Sequence, residues 1–326
     1  MGNKISQVDL QYLFFCFYSF YQSLFFNVTS LEKRSMDNLK VSISRQLMRY
    51  VLLSWIALIF IFPLIFMIVS SLKPDLQLLR DSSSFRAFLP VGDISFNNYI
   101  EAFDRAPIFL FIGNSIFITA TTIILSMFAC SLAAFSFVFL EWKGKGVILS
   151  IILSTLIVPF EAIAIPLLLI VNFLPWVSVD GISIGWLNSY QVQIIPFIAD
   201  AITIYLFVQY FKDLPKELVE AAHVDGASWF RIYSKIILPL SGPIFATAAI
   251  LKFLAMYNNQ FLWPIMVAQE EQFRPVMVGL LYFFQLNVAW GEVMAYLSII
   301  TIPVLAFYIS MQKAFVASVA NTGIKG

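Results

Sequence analysis

Six long apolar runs constrain this chain more than any other feature: residues 51–71, 108–140, 147–174, 191–211, 240–263 and 293–311. A helix rises about 1.5 Å per residue, so about 20 apolar residues cross the roughly 30 Å hydrocarbon core of a bilayer. In that solvent every backbone N–H and C=O needs a partner in its own fold, which leaves only helices and closed barrels. Runs of this length predict helices. The fold class is therefore all-α, a polytopic membrane protein with six transmembrane helices. Composition agrees: 60% of the 326 residues are hydrophobic and 12% charged, where a soluble domain carries roughly 25% charged residues. The second run exceeds one span, so its ends are expected to protrude, tilt or pack on neighbours.

The charges sort by loop. With the amino terminus in the cytosol, fourteen Lys and Arg fall on the inner side and five on the outer, and Lys252 lies within a span. The positive-inside rule then places both termini in the cytosol, as an even number of spans requires. The formal net charge of +1 offers no basic excess to hold nucleic acid. Cys16 and Cys130 both lie in apolar runs and read as buried thiols, and with His223 the sole histidine a multi-histidine metal site is excluded. Residues 72–107 form the one sizeable external loop, and its Pro74, Pro90, Gly92 and mixed charges suit an ordered surface excursion.

The chain divides into an amino-terminal extension (1–35), the first span with its external loop (36–107), a membrane core (108–313) containing a cytosolic loop (212–239), and a cytosolic tail (314–326). The extension holds an aromatic-rich run over 13–26, short for a span and without a signal-cleavage site. Three readings of it stand: an interfacial segment, a partial extra span, or sequence upstream of a start at Met36. The Met1-Gly2 and Asn27-Val28-Thr29 patterns there, for acylation and glycosylation, carry little information.

The segment with the clearest functional content is the loop between the fourth and fifth runs. Asp213 is a good N-cap and Pro215 suits a first turn, Gly226 can end a helix in the left-handed conformation, and Ser228 can cap the next helix, which should stop near Pro239. Two short helices around such a turn make an elbow suited to a groove in a partner. Within it, Glu220-Ala221-Ala222, three residues, Gly226, nine residues, then Ile236-Ile237-Leu238-Pro239 resembles the signature loop of ABC importer permeases at every consensus position.

That resemblance implies a type I importer permease fold and a coupling helix that docks on an ATPase subunit. It assigns Glu220, Ala221, Ala222, Asp225, Gly226 and Ala227 to that docking. The chain from about Met36 is similar to the carbohydrate branch, the second permease of maltose and glycerol-phosphate importers. Asp225-Gly226-Ala227, Asn98-Tyr99, Asn114-Ser115 and the stretch Tyr257-Asn258-Asn259-Gln260-Phe261-Leu262-Trp263-Pro264 carry this similarity. The tail Thr322-Gly323-Ile324-Lys325-Gly326 resembles an end that reaches between the ATPase subunits, which makes Thr322, Gly323 and Lys325 candidate contacts. Tyr257 departs from the family, where tryptophan is common, and so does the extension. The implied partners are a homologous second permease, a dimer of ATPase subunits that binds ATP and Mg, and an extracytoplasmic solute-binding protein.

Polar groups in a span are functional candidates. Glu161 lies between Pro159 and Pro166, where a kink would line a cavity, and reads either as a hydrogen-bonding group for a polyhydroxylated solute or as a bond to a neighbouring helix. Asn258 and Asn259 match sugar hydroxyls or glue helices. Tyr257 could stack on a sugar face, Trp263 reads as an interfacial aromatic, and Lys252 is expected to snorkel toward the cytosol. No Gly-x-x-x-x-Gly-Lys-Ser/Thr loop occurs, so the chain has no ATP site of its own, and no catalytic constellation is present. An importer for a polyamine or amino acid is the alternative. A gradient-driven transporter would need paired ionisable residues in the spans, where only Glu161 reads as well placed.

Overall fold

In the computed structural model the described residues are 43–178, 181–258, 261–284 and 288–322. The extension 1–35, Cys16, Asn259, Gly323 and Lys325 lie outside them. Residues Leu64–Ala320 form one compact unit, and residues 43–63 belong to a second.

Among the described residues, three helices are long and apolar enough to cross a membrane by themselves, within α1 (Ile43–Ser71), α4 (Ile108–Phe139) and α15 (Trp290–Thr322). Three bent pairs bring the total to six, each pair counting as one span: Lys145–Ile157 with Phe160–Phe173 at 107°, Gln191–Phe197 with Ala201–Lys212 at 40°, and Trp229–Leu240 with Gly242–Tyr257 at 78°. By length and composition the described residues thus allow up to the expected six spans, half of them broken. Within the pairs we name α5 (Lys145–Ser154), α6 (Phe160–Phe173), α7 (Gln191–Ile194) and α8 (Ala201–Lys212). A two-stranded antiparallel hairpin, β1 (Pro175–Ser178) and β2 (Gly181–Ile184), follows α6.

Two of the breaks have a plain local cause. Val158 and Pro159 take extended backbone angles, and proline has no N–H to continue the preceding helix, so the third span breaks there. Pro166 makes no second break and sits inside α6. In the fourth span Asp200 stops the backbone in an extended conformation and caps α8, its Oδ1 accepting from Thr203 N at 2.9 Å.

Helix α4 is the central post. Its buried face runs Asn114, Ser115, Ile118, Thr119, Thr122, Ser126, Cys130, Ser131 and Ala134, and these small and hydroxylated residues let α8 and the fifth span's second half, α12 (Gly242–Tyr257), approach closely. Polar members of the face fasten loops at one end. Asn114 Nδ2 donates to Gln272 O at 2.8 Å and Arg274 O at 3.0 Å, and Ser115 Oγ accepts from Val276 N at 2.9 Å. The Asn114-Ser115 pair is therefore a bracket for the segment between α13 (Leu262–Val267) and α14 (Val276–Gly279). Asn98 does the same for the end of α1, its Nδ2 donating to Ser71 O and Lys73 O, each at 2.8 Å. Two large apolar clusters fill the two ends of the unit. One gathers Phe135, Phe207, Phe211, Ile232 and Tyr233, the other Phe111, Phe283, Val293 and Tyr296.

Candidate coupling elbow and membrane interior

The elbow follows α8 directly. Asp213 terminates α8 as its C-cap, and Pro215 stands at the N-cap of α9 (Lys216–Val224), so the expected capping role of Asp213 is corrected. Proline there needs no hydrogen-bonded N–H, which is why the helix starts after it. The other end of α9 closes as its glycine predicts. Gly226 takes φ +80°, its N–H bonds to His223 O at 3.0 Å, and Ala227 N–H bonds to Ala222 O at 3.0 Å. This crossed pair is the Schellman arrangement. Ser228 then caps α10 (Trp229–Ile232), its side chain accepting from Arg231 N.

The helix beyond does not stop at Pro239. A π turn over Tyr233–Ile237 leads into α11 (Leu238–Leu240), and the break falls at Ser241. Widening the turn to i→i+5 redistributes the carbonyls, so the missing proline N–H is absorbed as a bulge.

The loop residues divide between two roles. Glu220, Ala221, Asp225 and Gly226 are exposed, while Ala222 and Ala227 are half-buried against the cluster that contains Val219 and Phe135. The elbow is anchored by Tyr233, whose hydroxyl lies 2.7 Å from Ser131 Oγ of α4 in a buried contact. Trp229 packs edge-on to Phe135 and stacks with His223 at 4.7 Å. Two apolar side chains that the sequence reading does not single out project from the tip: Val224 is 87% exposed and Phe230 68%. Their signal was an apolar residue at each side of the Gly226 turn, where a soluble loop would be polar.

In the membrane interior, Glu161 stands exposed in the first turn of α6, where the helix dipole favours a carboxylate. Asn258 is exposed at the C-cap of α12. Tyr257 is 2% exposed, its hydroxyl donates to Ile300 O at 3.1 Å, and its ring stacks on Phe253, so it ties α12 to α15 and presents no face to a solute. Trp263 is likewise no interfacial aromatic. It is 1% exposed, and its Nε1 donates to Val192 O at 2.9 Å.

Lys252 corrects a further expectation. It is buried and pairs with Asp200 at 2.7 Å, joining α12 to the break before α8. Snorkelling fails because ten residues separate Lys252 from the start of α12, about 15 Å along the axis, whereas a carboxylate is at hand. Glu161 is therefore not the only well-placed ionisable group. The visible signal was one carboxylate and one ammonium in consecutive apolar runs. Asp200 Oδ2 also accepts from Thr203 Oγ1 at 2.8 Å, so the pair is a satisfied structural tie. Among the described residues no three His, Cys, Asp or Glu side chains gather to hold a metal.

Comparison with known proteins places this geometry. Residues 126–321 match the family described as binding-protein-dependent transport system inner membrane component. The chain is 31% identical over 275 residues to the arabinooligosaccharides transport system permease protein AraQ of Halalkalibacterium halodurans, covering 84% of this chain and 94% of that protein. It is 30% identical to the lactose transport system permease protein LacG of Rhizobium radiobacter, covering 89% and 97%. It is 32% identical to the sn-glycerol-3-phosphate transport system permease protein UgpE of Salmonella typhi, covering 67% and 75%. A solved bacterial ABC transporter involved in the import of the acidic polysaccharide alginate superposes with a TM-score of 0.68 at 25% identity, over 85% of this chain and 99% of that one. The matched segment begins within α4 and takes in the elbow and the last span, and on that footing the chain belongs to the binding-protein-dependent transport system inner membrane components, the permeases of ABC importers.

Proposed function

We propose that this chain is one of two homologous permeases in an ABC importer for a carbohydrate, a class taken to include di- and oligosaccharides, polyols and glycerol phosphates. The observation that carries the reading is the elbow. Its Glu220, Ala221, Asp225 and Gly226 stand exposed on a tip whose base is locked into the membrane core. The solutes named for the relatives, sugars and glycerol 3-phosphate, favour carbohydrate over a polyamine or amino acid.

In this reading ATP and Mg bind a dimer of partner ATPase subunits, and this chain receives their motion at the tip. The elbow is continuous in sequence with α8 and, through the bend at Ser241, with α12. Movement of the docked tip therefore turns both spans, which the Asp200–Lys252 pair keeps together. Rocking against the second permease alternates access to the solute handed over by an extracytoplasmic binding protein. The tip and both termini are assigned to the cytosolic side, and Thr322, Gly323 and Lys325 to contacts with the ATPase subunits.

Glu161 supports a pathway through this half. An exposed carboxylate in a spanning segment is costly against lipid, and no described residue pairs with it. It is assigned with Asn258 and Asn259 to the face toward the second permease and the solute.

The test is ATP hydrolysis by the complete complex in vesicles, with its binding protein, across sugars, polyols, glycerol phosphates, a polyamine and amino acids. Stimulation by a carbohydrate class alone is expected. Stimulation by a polyamine or amino acid alone would overturn the solute assignment, and purification of the chain without any ATPase subunit would overturn the assembly.

A further inference from the structure

The lobe that follows the first span, residues 72–107, is inverted relative to an element that faces water. Helix α2 (Asp75–Asp81) is two turns long. Leu76 and Leu79, one turn apart on one face, are 80% and 65% exposed, and Phe85 just beyond the helix is 75% exposed. One ion pair points the other way. Lys73 is 0% exposed and Asp81 5%, and Lys73 Nζ donates to Asp81 Oδ2 at 3.2 Å and to Arg86 O at 2.6 Å. Gln77 completes the polar interior, its Oε1 accepting from Asp93 N at 2.9 Å.

In water this arrangement loses twice, because a buried ion pair forfeits hydration while large apolar side chains keep contact with solvent. It is stable if the surroundings of α2 are apolar. The position of the helix says what they are. Leu72 and Lys73 still turn with the end of α1, through bonds to Val69 O and Ser70 O, and α2 starts four residues after Ser71. Four residues reach at most about 14 Å even when extended, so α2 stays near the level at which the first span leaves the hydrocarbon. Two exposed cations, Arg80 and Arg86, flank the apolar group. The nearby carboxylates are engaged elsewhere, Asp81 with Lys73 and Asp75 with Gly291 N at 2.7 Å. Apolar side chains rimmed by exposed guanidinium groups fit a lipid surface, acyl chains below and phosphates above.

We propose that Leu76, Leu79 and Phe85 insert into the headgroup–acyl boundary of the bilayer, with Arg80 and Arg86 on lipid phosphates. The lobe is then an interfacial anchor. Through the Asp75–Gly291 bond it sets the height of the start of α15 in the membrane. This rests on the chain being a membrane protein and is independent of the solute.

The test is a nitroxide spin label at L79C in the complete complex, in vesicles of phosphatidylethanolamine and phosphatidylglycerol. Cys16 is replaced by serine, and Cys130, 0% exposed, is left in place. Power saturation with oxygen and with a water-soluble nickel chelate reads the surroundings. Oxygen accessibility several-fold above that of the chelate is expected, at a depth about 5–10 Å below the phosphates. A label at A87C, 8% exposed, gives the protein-buried reference with both values low. Chelate accessibility above that of oxygen at L79C would place the helix in water, and values as low as at A87C would place it against a partner subunit. Either result overturns the proposal. The same label at L76C, 80% exposed, gives a second reading with the same criteria if L79C fails to assemble.

Discussion

Gly226 is the residue on which most of the coupling assignment turns. A Cβ built there meets nothing within 4 Å, so the restriction comes from φ +80° and not from crowding within the chain. A non-glycine residue in the left-handed region costs about 1–2 kcal/mol, and a β-branched one is a true outlier, whereas asparagine is tolerated at such helix ends. Gly226→Val should therefore lose about tenfold or more of solute-stimulated ATP hydrolysis while Gly226→Asn keeps most of it, and equal activity in the two would remove the turn from the mechanism. Asp81 makes a second case at this scale. Burial acts to raise its carboxyl, but hydrogen bonds from Lys73 and Gln77 and the charges of Lys73 and Arg86 outweigh that and hold it below the ordinary 3.8. A depressed carboxylate contributes stability above the unfolded value, lost as pH falls through the folded one. Thermal unfolding of the purified complex should therefore show a decline below about pH 4 that Asp81→Asn reduces; an unchanged pH profile would count against the Lys73–Asp81 tie.

Among elements, the elbow and α4 act as one body because of the buried Ser131–Tyr233 contact and the edge-on aromatic contacts around Phe135. A buried hydrogen bond contributes about 0.5–1.5 kcal/mol net, and a partner left alone costs about 1–3 kcal/mol. Ser131→Ala and Tyr233→Phe should each lower the unfolding midpoint of the complex, and the double variant should be less stable than wild type by well under the sum. A double-mutant cycle with a coupling near 1 kcal/mol is expected, and strict additivity would mean the two hydroxyls do not bond. Element boundaries at α4 were legible in advance because its apolar run is unbroken from 108 to 139. The π turn over Tyr233–Ile237 was not, since proline signals a stop and only the neighbouring helices decide whether a bulge is held instead.

Over the whole molecule, the charge asymmetry and the elbow make one joint statement about orientation. V224C, at an 87% exposed position, should react with a membrane-impermeant maleimide only in inside-out vesicles. S83C, exposed in the lobe after α2, should react only in right-side-out ones. Labelling of both from one side would reject the six-span arrangement. Gly291 adds a constraint between distant segments: a Cβ there would collide with the Asn98 side chain, so the lobe and the start of α15 meet where only glycine fits.

Membrane residence, helical class, the number of spans and the elbow's turn followed from the amino-acid order alone, because each depends on neighbours within one helix length: apolar runs of about 20 residues, a proline, a capping serine, a glycine with φ above zero. The interior was different. Lys252 stands 52 residues from Asp200, Tyr257 stands 43 from Ile300, and Trp263 stands 71 from Val192. Read locally, each was a snorkelling, solute-binding or interfacial side chain. Tertiary packing gave each a partner within the fold instead, since an unpaired polar group in a low-dielectric interior is costly and takes whichever complementary group the fold brings within reach.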